Sequence, residues 1–401
     1  MSKIHFLSVR YGDSFVIECD KEGNHGVIVV DGGPNGGILL KEKLEEVGQP
    51  DLMVLTHYDE DHIYGLLQYM RMCQKGETLA AKEVWANCAG NVRKKDKKEM
   101  EAESERQDLP DHMEKSAKQG VKFSRILDEL EQSGQVEWRE DIIEGVVREL
   151  PFASIEVVSP TDEVRLYALE EQEAVAPDVP MSKAKAIDMK GVSKRLVDLK
   201  YTYEELARKT PGAPPADDKD ALPNASSIAF ILRCDDLSVL LLGDCYPHNV
   251  VAYLRSKGYS EENPLVVDYV KVAHHGSEHN TSNELLDLIK CNHYIISTNG
   301  EKFQHPHRHS IAHILCHPTR DWNETVHLYF NTDLKTLIEN GSCFIKEGEQ
   351  EAYNFVIHEC TEELPLEGLD VVPAQVPEIP GLVPVAQGSG QTMPGRSDEL
   401  I

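Results

Sequence analysis

Between Leu52 and Gly65 the chain reads LMVLTHYDEDHIYG, and His57, Asp59, Asp61 and His62 fall within six consecutive positions of it. Imidazole nitrogens and carboxylate oxygens are the donors that hydrolytic sites offer to divalent metals. Two His and two Asp from one turn exceed what a single ion takes from one loop, so the spacing points to two ions sharing it. Such a pair can activate water, polarise an electrophile and stabilise the attacking and leaving oxygens of a displacement.

These side chains need elements that aim them together. The apolar run Leu52 to Leu55 reads as a buried strand ending at Thr56, and Ile63, Leu66, Leu67 and Met70 then recur at helical spacing. The cluster therefore sits where a strand hands over to a helix, with extended geometry for its first members and helical geometry for its last. An isolated H-x-D is usually an ordinary polar pair. H-x-D-x-D-H at a strand end, followed by Gly65, is a more specific arrangement.

Other chemistry-bearing residues stand at strand ends too. Residues 3–31 give three short strands (IHFLSV, DSFVIEC, GVIVVDGG) separated by turns that hold Tyr11-Gly12-Asp13-Ser14 and lead to Asp31-Gly32-Gly33. Ile38 to Val47 reads as a helix, and Glu83 to Asn87 and Ala153 to Ser159 as strands. Asn224-Ala225-Ser226-Ser227 introduces IAFILRC, and SVLLL then runs into Gly243-Asp244. Tyr269 to Ala273 is a strand that stops at His274-His275-Gly276-Ser277, and Tyr294 to Ser297 leads to His305-Pro306-His307. His309, His313 and His317 recur every fourth residue and read as an ordinary surface face of a helix rather than a third metal site.

Together these motifs resemble the metallo-β-lactamase fold, whose signature loop is usually H-x-H-x-D-H. With Asp59 in place of the second His, the chain is similar to the soluble competence-protein (ComEC) type of that fold, as are its G-D-S at Gly12 to Ser14, N-x-x-S at Asn224 to Ser227, Gly243-Asp244 and V-x-H-H-G-S up to Ser277. The final G-H-P-x motif is met at His305 with Gln304 in place of its Gly. The resemblance covers Tyr11 to His307 and implies an α+β fold, a four-layer αββα sandwich with a helical insertion and a C-terminal β extension. It further implies that His57 and Asp59 hold one ion, that Asp61, His62 and one of His274 and His275 hold the other, and that Asp244 spans both. Asp31 would orient the metal loop, and Asp61, His305 and Asp31 would form the catalytic group. Ser277, Asn224, Ser227 and Lys302 would face the substrate. No further His is available between the first loop and Asp244, since His112 lies in a charged stretch, so the set is rich in carboxylate. It suits Zn²⁺ or Mn²⁺, with Mg²⁺ also accommodated.

Along the chain, residues 1–90 and 223–320 form the two halves of the expected domain, and 151–168 returns one sheet strand. Residues 91–150 read as a charged helical insertion, either a substrate cap or partner arm or a solvated hairpin, with an amphipathic segment at Phe123 to Leu130. Residues 169–222 hold Pro211, Pro214 and Pro215 beside Asp217, Asp218 and Asp220, and read as a flexible lid. Residues 321–360 give strand-like VHLYF, CFIKE and YNFVIH, the β extension. Residues 361–401 hold six of the 21 prolines, seven acidic residues and one Arg, and read as a disordered tail.

Forty-one Lys and Arg against 69 Asp and Glu leave a net charge of −28. This surface repels polyanions at long range and excludes broad nonspecific coating of nucleic acid, although bound metal reverses the sign locally. Lys271, Lys302, Arg308 and the Lys94 to Lys98 cluster are the cations nearest the motifs. Nine scattered cysteines without C-x-x-C fit a reducing compartment, and no apolar run suits a signal peptide or membrane span, so a cytoplasmic location is expected. The function expected is a metal-dependent hydrolase, a dinuclear phosphodiesterase or nuclease, serving DNA processing or bacterial defence, with a nucleic acid or nucleotide as substrate. The alternatives are a hydrolase of a small anionic molecule, such as a nucleotide signal or lactone, and a partner-activated protein or scaffold that binds through the 91–150 segment or the tail.

Overall fold

The computed structural model describes residues 1–88, 111–174, 196, 198–209 and 222–365. Strands β1 (Lys3–Phe6), β2 (Phe15–Lys21) and β3 (Asn24–Val30) open the chain. Glu22 and Gly23 join β2 to β3 with φ of 52° and 80°, the left-handed pair that a two-residue hairpin turn requires. Helix α1 (Gly37–Val47), β4 (Leu52–Leu55), α2 (Glu60–Gln74) and β5 (Glu83–Ala86) follow as the sequence predicts. Then come α3 (Asp111–Gln132), β6 (Glu137–Arg139), β7 (Val147–Leu150), β8 (Ala153–Ser159) and α4 (Asp162–Ala174). Short helices α5 (Tyr203–Ala207) and α6 (Leu222–Ala225) precede β9 (Ala229–Arg233), β10 (Ser238–Leu241) and α7 (Pro247–Ser256). The chain continues through β11 (Leu265–Val266), β12 (Tyr269–Lys271), α8 (Asn283–Leu286), β13 (Ile289–Lys290), β14 (His293–Ile296) and α9 (Arg308–Leu315). It closes with β15 (Val326–Phe330), α10 (Leu334–Glu339), α11 (Glu349–Ala352) and β16 (Phe355–His358).

This is a mixed α/β chain with several sheets, in keeping with a metallo-β-lactamase arrangement. One sheet runs β1-β2-β3-β4-β5-β6, antiparallel to β3 and parallel beyond it; the other runs β16-β15-β14-β12-β10-β9-β8-β7, parallel from β16 to β10. Strands alternate their side chains between faces, which sorts the core into clusters. Phe6, Ile17, Val30 and Val54 of the first sheet share one cluster with Ile155, Phe230, Leu241 and Ile295 of the second. Val29, Met53 and Val84, on the first sheet's opposite face, pack with Leu40, Leu66, Met70 and Phe123 of helices. Ile231, Leu240 and Ile296 do the same with Val250, Leu254 and Ile311.

Several sequence expectations shift. Residues 133–150 are not inserted: β6 extends the first sheet beside β5, and β7 edges the second beside β8. The amphipathic face of α3 explains this, since Phe123, Ile126, Leu127 and Leu130 are buried in the cluster that α2 shares. Part of the expected lid is docked, with Tyr203 and Leu206 buried, the Tyr203 hydroxyl donating to the Phe344 carbonyl, and Arg308 3.9 Å above the Tyr203 ring. Arg308 is buried against Glu349 and is not a cation offered to substrate. CFIKE forms no strand, because the Phe344 carbonyl is taken by Tyr203 and Arg308 instead of a neighbouring strand. β15 and β16 continue the second sheet beyond β14. The tail is tied down at its start, where the Leu364 amide donates to the Ile4 carbonyl and the Phe6 amide to the Glu362 carbonyl. The Lys94 to Lys98 cluster, His112 as a side chain, the Pro211 to Asp220 stretch and residues 366–401 lie outside the described residues. Among the described residues, no helix is long and apolar enough to cross a membrane.

Candidate metal centre and active site

The site lies where parallel strands of both sheets end: His57 follows β4, Asp31 follows β3, Asp244 follows β10, and His274 and His275 follow β12. Crevices beyond the carboxyl ends of parallel strands are where α/β folds place ligands. Asp59 is the residue before α2, in extended conformation, and its side chain makes no capping hydrogen bond. An Asp there ordinarily caps the helix. Here it stands 3.7 Å from His57 Nε2 instead, with 29% of its side chain exposed.

The start of α2 is pressed onto the turn after β3. The Gly32 amide donates to the His62 carbonyl at 2.9 Å and the Gly65 amide to the Gly33 carbonyl at 2.8 Å. A Cβ on Gly65 would lie 1.8 Å from the Gly32 carbonyl oxygen, so only glycine allows this approach. Asp31, with φ of 57°, is thereby placed under the metal loop. It accepts from the Thr56 amide at 2.8 Å, the Thr56 hydroxyl at 2.7 Å and His62 Nδ1 at 2.7 Å. His62 Nε2 is left to face Asp244 Oδ1 at 3.4 Å. Asp244 Oδ2 turns toward the other rings, 3.7 Å from Nε2 of His274 and of His275 and 4.0 Å from that of His57.

Ligand atoms gather in overlapping groups: His57, His62 and Asp244; Asp61, His62 and His275; Asp13, Asp244 and His275; and Asp13, Asp31 and His62. Among the described residues, the buried Nε2 atoms of His57, His62 and His275, with Asp244 Oδ1, have no hydrogen-bond partner. Buried polar atoms are normally paired. Orphans converging from three imidazoles and a carboxylate fit a divalent ion as the missing partner, so the residues present suit the implied metal.

Charge in the cluster points the same way. Burial alone would lower His275, but Asp244 and Asp13 outweigh it and carry the ring up to about 9. Burial likewise opposes the rise of His62, which Asp244 and Asp31 push well above an ordinary imidazole. Burial would raise Asp61 and Asp244; Lys302 in the first case and His62 in the second hold them low. Carboxylates thus dominate the field, which positive charge satisfies. Among the nine described non-glycine residues with positive φ, six lie around this cluster: Arg10, Asp31, His274, His275, Phe303 and Gln304. Such conformations concentrate where a site is held in a fixed shape.

The structure sorts the sequence candidates. His57, Asp61, His62, Asp244 and His275 come together, with His274 and Asp59 at the edge. The sequence left His274 and His275 as alternatives; β12 stops at Lys271 and both His residues lie beyond it. His275 is buried with Nδ1 fixed on the Ser297 carbonyl at 2.8 Å, whereas His274 Nδ1 meets Asn280 and its side chain is 22% exposed. Ser227, expected at substrate, is buried; its hydroxyl is 3.2 Å from His57 Nδ1 and accepts from the Asp244 amide. Ser277 and Asn224 are buried as well, and no side-chain hydrogen bond or ion pair among the described residues ties either to the cluster. Lys302 Nζ is 3.6 Å from Asp61, while Lys271 is buried on Asp13 at 2.5 Å and is unavailable to substrate. His305 is buried with its ring 5.2 Å from that of His274. Burial, then His307 and His274, keeps it neutral. The His309, His313 and His317 face is not surface: His313 and His317 are buried against Asn283 and Asp287. Asp13 and Asn280 escaped the sequence reading as site residues. The G-D-S turn was the signal for Asp13, and nothing in the sequence marks Asn280, whose amide donates to the carbonyls of Asp244 and Cys245.

Residues 7–80 match the sequence model of the family described as Metallo-beta-lactamase superfamily, a segment that holds Asp13, Asp31 and the whole first metal loop. No curated protein gives a significant sequence match. Among solved structures, a mutant of CmlA beta-hydroxylase aligns at 12% identity over 73% of this chain and 45% of its own, with a TM-score of 0.33. A diphosphatase from the PhnP family aligns at 11% over 74% and 85%, TM-score 0.31. Tm1679, described as a metal-dependent hydrolase of the beta-lactamase superfamily, aligns at 10% over 91% and 99%, TM-score 0.34. The chain spans less than half the length of the first of these.

Proposed function

We propose that this protein is a metal-dependent hydrolase of phosphodiesters, a dinuclear phosphodiesterase or nuclease of the ComEC-type metallo-β-lactamase variety with αββα layering. The observation that carries this is Asp244 with its two oxygens facing different imidazoles, Oδ1 toward His62 and Oδ2 toward His57, His274 and His275. A carboxylate placed so would be able to hold two cations, one on each oxygen. His57, Asp59, Asp61, His62, Asp244 and His275, with His274 alongside, would hold Zn²⁺ or Mn²⁺, Mg²⁺ being the harder alternative.

When bound, divalent ions supply Lewis acidity to a phosphoryl oxygen and lower the pKa of water. The chain's own residues set the stage for this. Asp31 and Ser227 fix His62 and His57 through their Nδ1 atoms, so that both Nε2 atoms point inward. Lys302 places a cation beside Asp61, where the charge of an arriving phosphate is compensated. His305, neutral and buried beside His274, is placed to contact a phosphate oxygen rather than to supply a proton. In the hydrolysis, the water oxygen bonds to phosphorus as the ester P–O bond breaks, and the proton that the water gives up ends on the leaving oxygen. The substrate would be a nucleotide or nucleic acid met in the cytoplasm.

Cleavage of supercoiled DNA, single-stranded DNA and bis-p-nitrophenyl phosphate with Mn²⁺, Mg²⁺ or Zn²⁺ tests the proposal against an Asp61→Ala, His62→Ala double variant. Metal-dependent turnover lost in the variant is expected. Turnover of only the small diester would make the protein a small-molecule phosphodiesterase, and a metal-loaded protein inert on all three would overturn the assignment.

A further inference from the structure

The loop from Gly300 to His307 places one large apolar side chain in solvent at the mouth of the site. Phe303 is 55% exposed, in a protein whose other aromatic residues near the cluster are buried or half-buried. Its φ of 59°, followed by Gln304 at 61°, is a conformation that residues with a Cβ rarely adopt. The loop is held there: His307 Nε2 lies 3.1 Å from the Phe303 carbonyl, and the His307 amide donates to the Gly276 carbonyl at 2.9 Å. An exposed phenyl ring fixed in a strained backbone has a reason to face outward, since burial elsewhere would be favoured.

Phe303 is part of a set. Lys302 Nζ stands 5.3 Å from the Tyr11 ring centre and 5.4 Å from that of Phe303, and 3.6 Å from Asp61. Arg10 lies 5.4 Å from the Tyr11 ring centre and is paired with Glu301, so its charge is already engaged. On the inner side, the Phe303 ring is 5.9 Å from that of His305, which leads to His274 at 5.2 Å and His275 at 6.1 Å. A cation for a phosphate and an exposed aromatic ring therefore adjoin the metal-competent cluster in consecutive residues.

We propose that Phe303, with Tyr11 across Lys302, forms a stacking platform for one nucleobase adjoining the phosphate held at Lys302, so that the substrate is a nucleotidyl phosphodiester whose base is unstacked. The proposal rests on the phosphodiesterase reading and names its substrate class. Aromatic side chains accept any base, because every base presents a π face. A duplex keeps its bases paired and stacked, and a chain of net charge −28 repels long polyanions. Short single-stranded nucleotide chains meet both conditions.

Two measurements on the Mn²⁺-loaded full chain test this. The first compares hydrolysis of thymidine 5′-(p-nitrophenyl phosphate) with that of ethyl p-nitrophenyl phosphate, which share a leaving group and differ in the nucleoside. The wild type should show a KM on the order of tenfold lower for the thymidine ester. Phe303→Ala should remove most of that ratio, and Phe303→Trp should keep it, which controls for folding of the loop. The second compares binding of thymidine 5′-monophosphate with deoxyribose 5-phosphate by titration calorimetry. Base-dependent binding lost in Phe303→Ala supports the platform even if neither ester is hydrolysed, in which case the phosphodiesterase reading alone fails. Equal binding of the two ligands, or a preference untouched by Phe303→Ala, overturns the platform whatever the turnover.

Discussion

Asp31 Oδ2 lies 2.7 Å from His62 Nδ1, with both side chains fully enclosed. That one contact decides which imidazole nitrogen faces Asp244. It also explains why Asp31 belongs to the site without being placed to hold an ion by itself: Thr56 already donates to its two oxygens. Asp31→Asn keeps the shape and removes the anion. Metal affinity should fall by about 10–100-fold, the usual effect of losing such a partner. Competition with a chromogenic chelator measures it, and an unchanged affinity would show that His62 needs no anionic support.

Ser227 separates a positioning role from a substrate role. Its hydroxyl touches His57 Nδ1 and accepts from the Asp244 amide, and it is buried. Ser227→Ala should weaken metal binding about tenfold, and excess metal should then restore turnover. A KM increase that excess metal does not correct would instead place Ser227 against substrate.

Lys271 and Asp13 form a buried pair at 2.5 Å. Burial would raise the Asp13 carboxyl, yet Lys271 and then His275 bring it down to about 2. Lys271→Met strands that charge, and breaking a buried pair from one side costs about 3–5 kcal/mol. Urea unfolding should show this loss, and the double variant Lys271→Met, Asp13→Asn should recover a large part of it. A double variant as unstable as the single one would mean that Lys271 acts through packing.

How legible the site was in the sequence follows from distance along the chain. His57 to His62 belong to one local pattern, and the strand before them and helix after them are set by apolar spacing within fifteen residues, so both were readable. Asp244 and the His274-His275 pair follow apolar strand runs, and were found through the resemblance of their motifs to the metallo-β-lactamase fold. What stayed hidden depends on contacts between distant segments. Ser227 meets His57 across 170 positions and Lys271 meets Asp13 across 258, and neither residue type announces whether it is buried. The 133–150 stretch read as insertion because β6 and β7 are short edge strands with polar faces, and the identity of their partners is fixed only in the assembled sheets. The same holds for His313 and His317, whose spacing gave a helix face but not the segment that covers it.

A histidine row away from the metal loop gives the protein a defined acid response. His293, His327 and His358 stand on the adjacent strands β14, β15 and β16; the first two are opposite in register with rings stacked at 4.7 Å, and His327 Nδ1 is 2.9 Å from His358 Nε2. Burial lowers all three; His327 and His293 add repulsion at His358, and His327 adds it at His293, where Asp268 opposes it. His293 and His358 are brought to about 4, against about 6.5 in an unfolded chain. Between those values the unfolded state binds more protons, so stability is complete above about pH 6.5 and is lost as pH falls toward 4. The melting temperature of the wild type should therefore drop between pH 7 and pH 5. His358→Gln removes one titrating ring from the row and should flatten that drop. Parallel drops in the two proteins would assign the acid sensitivity to groups outside the row.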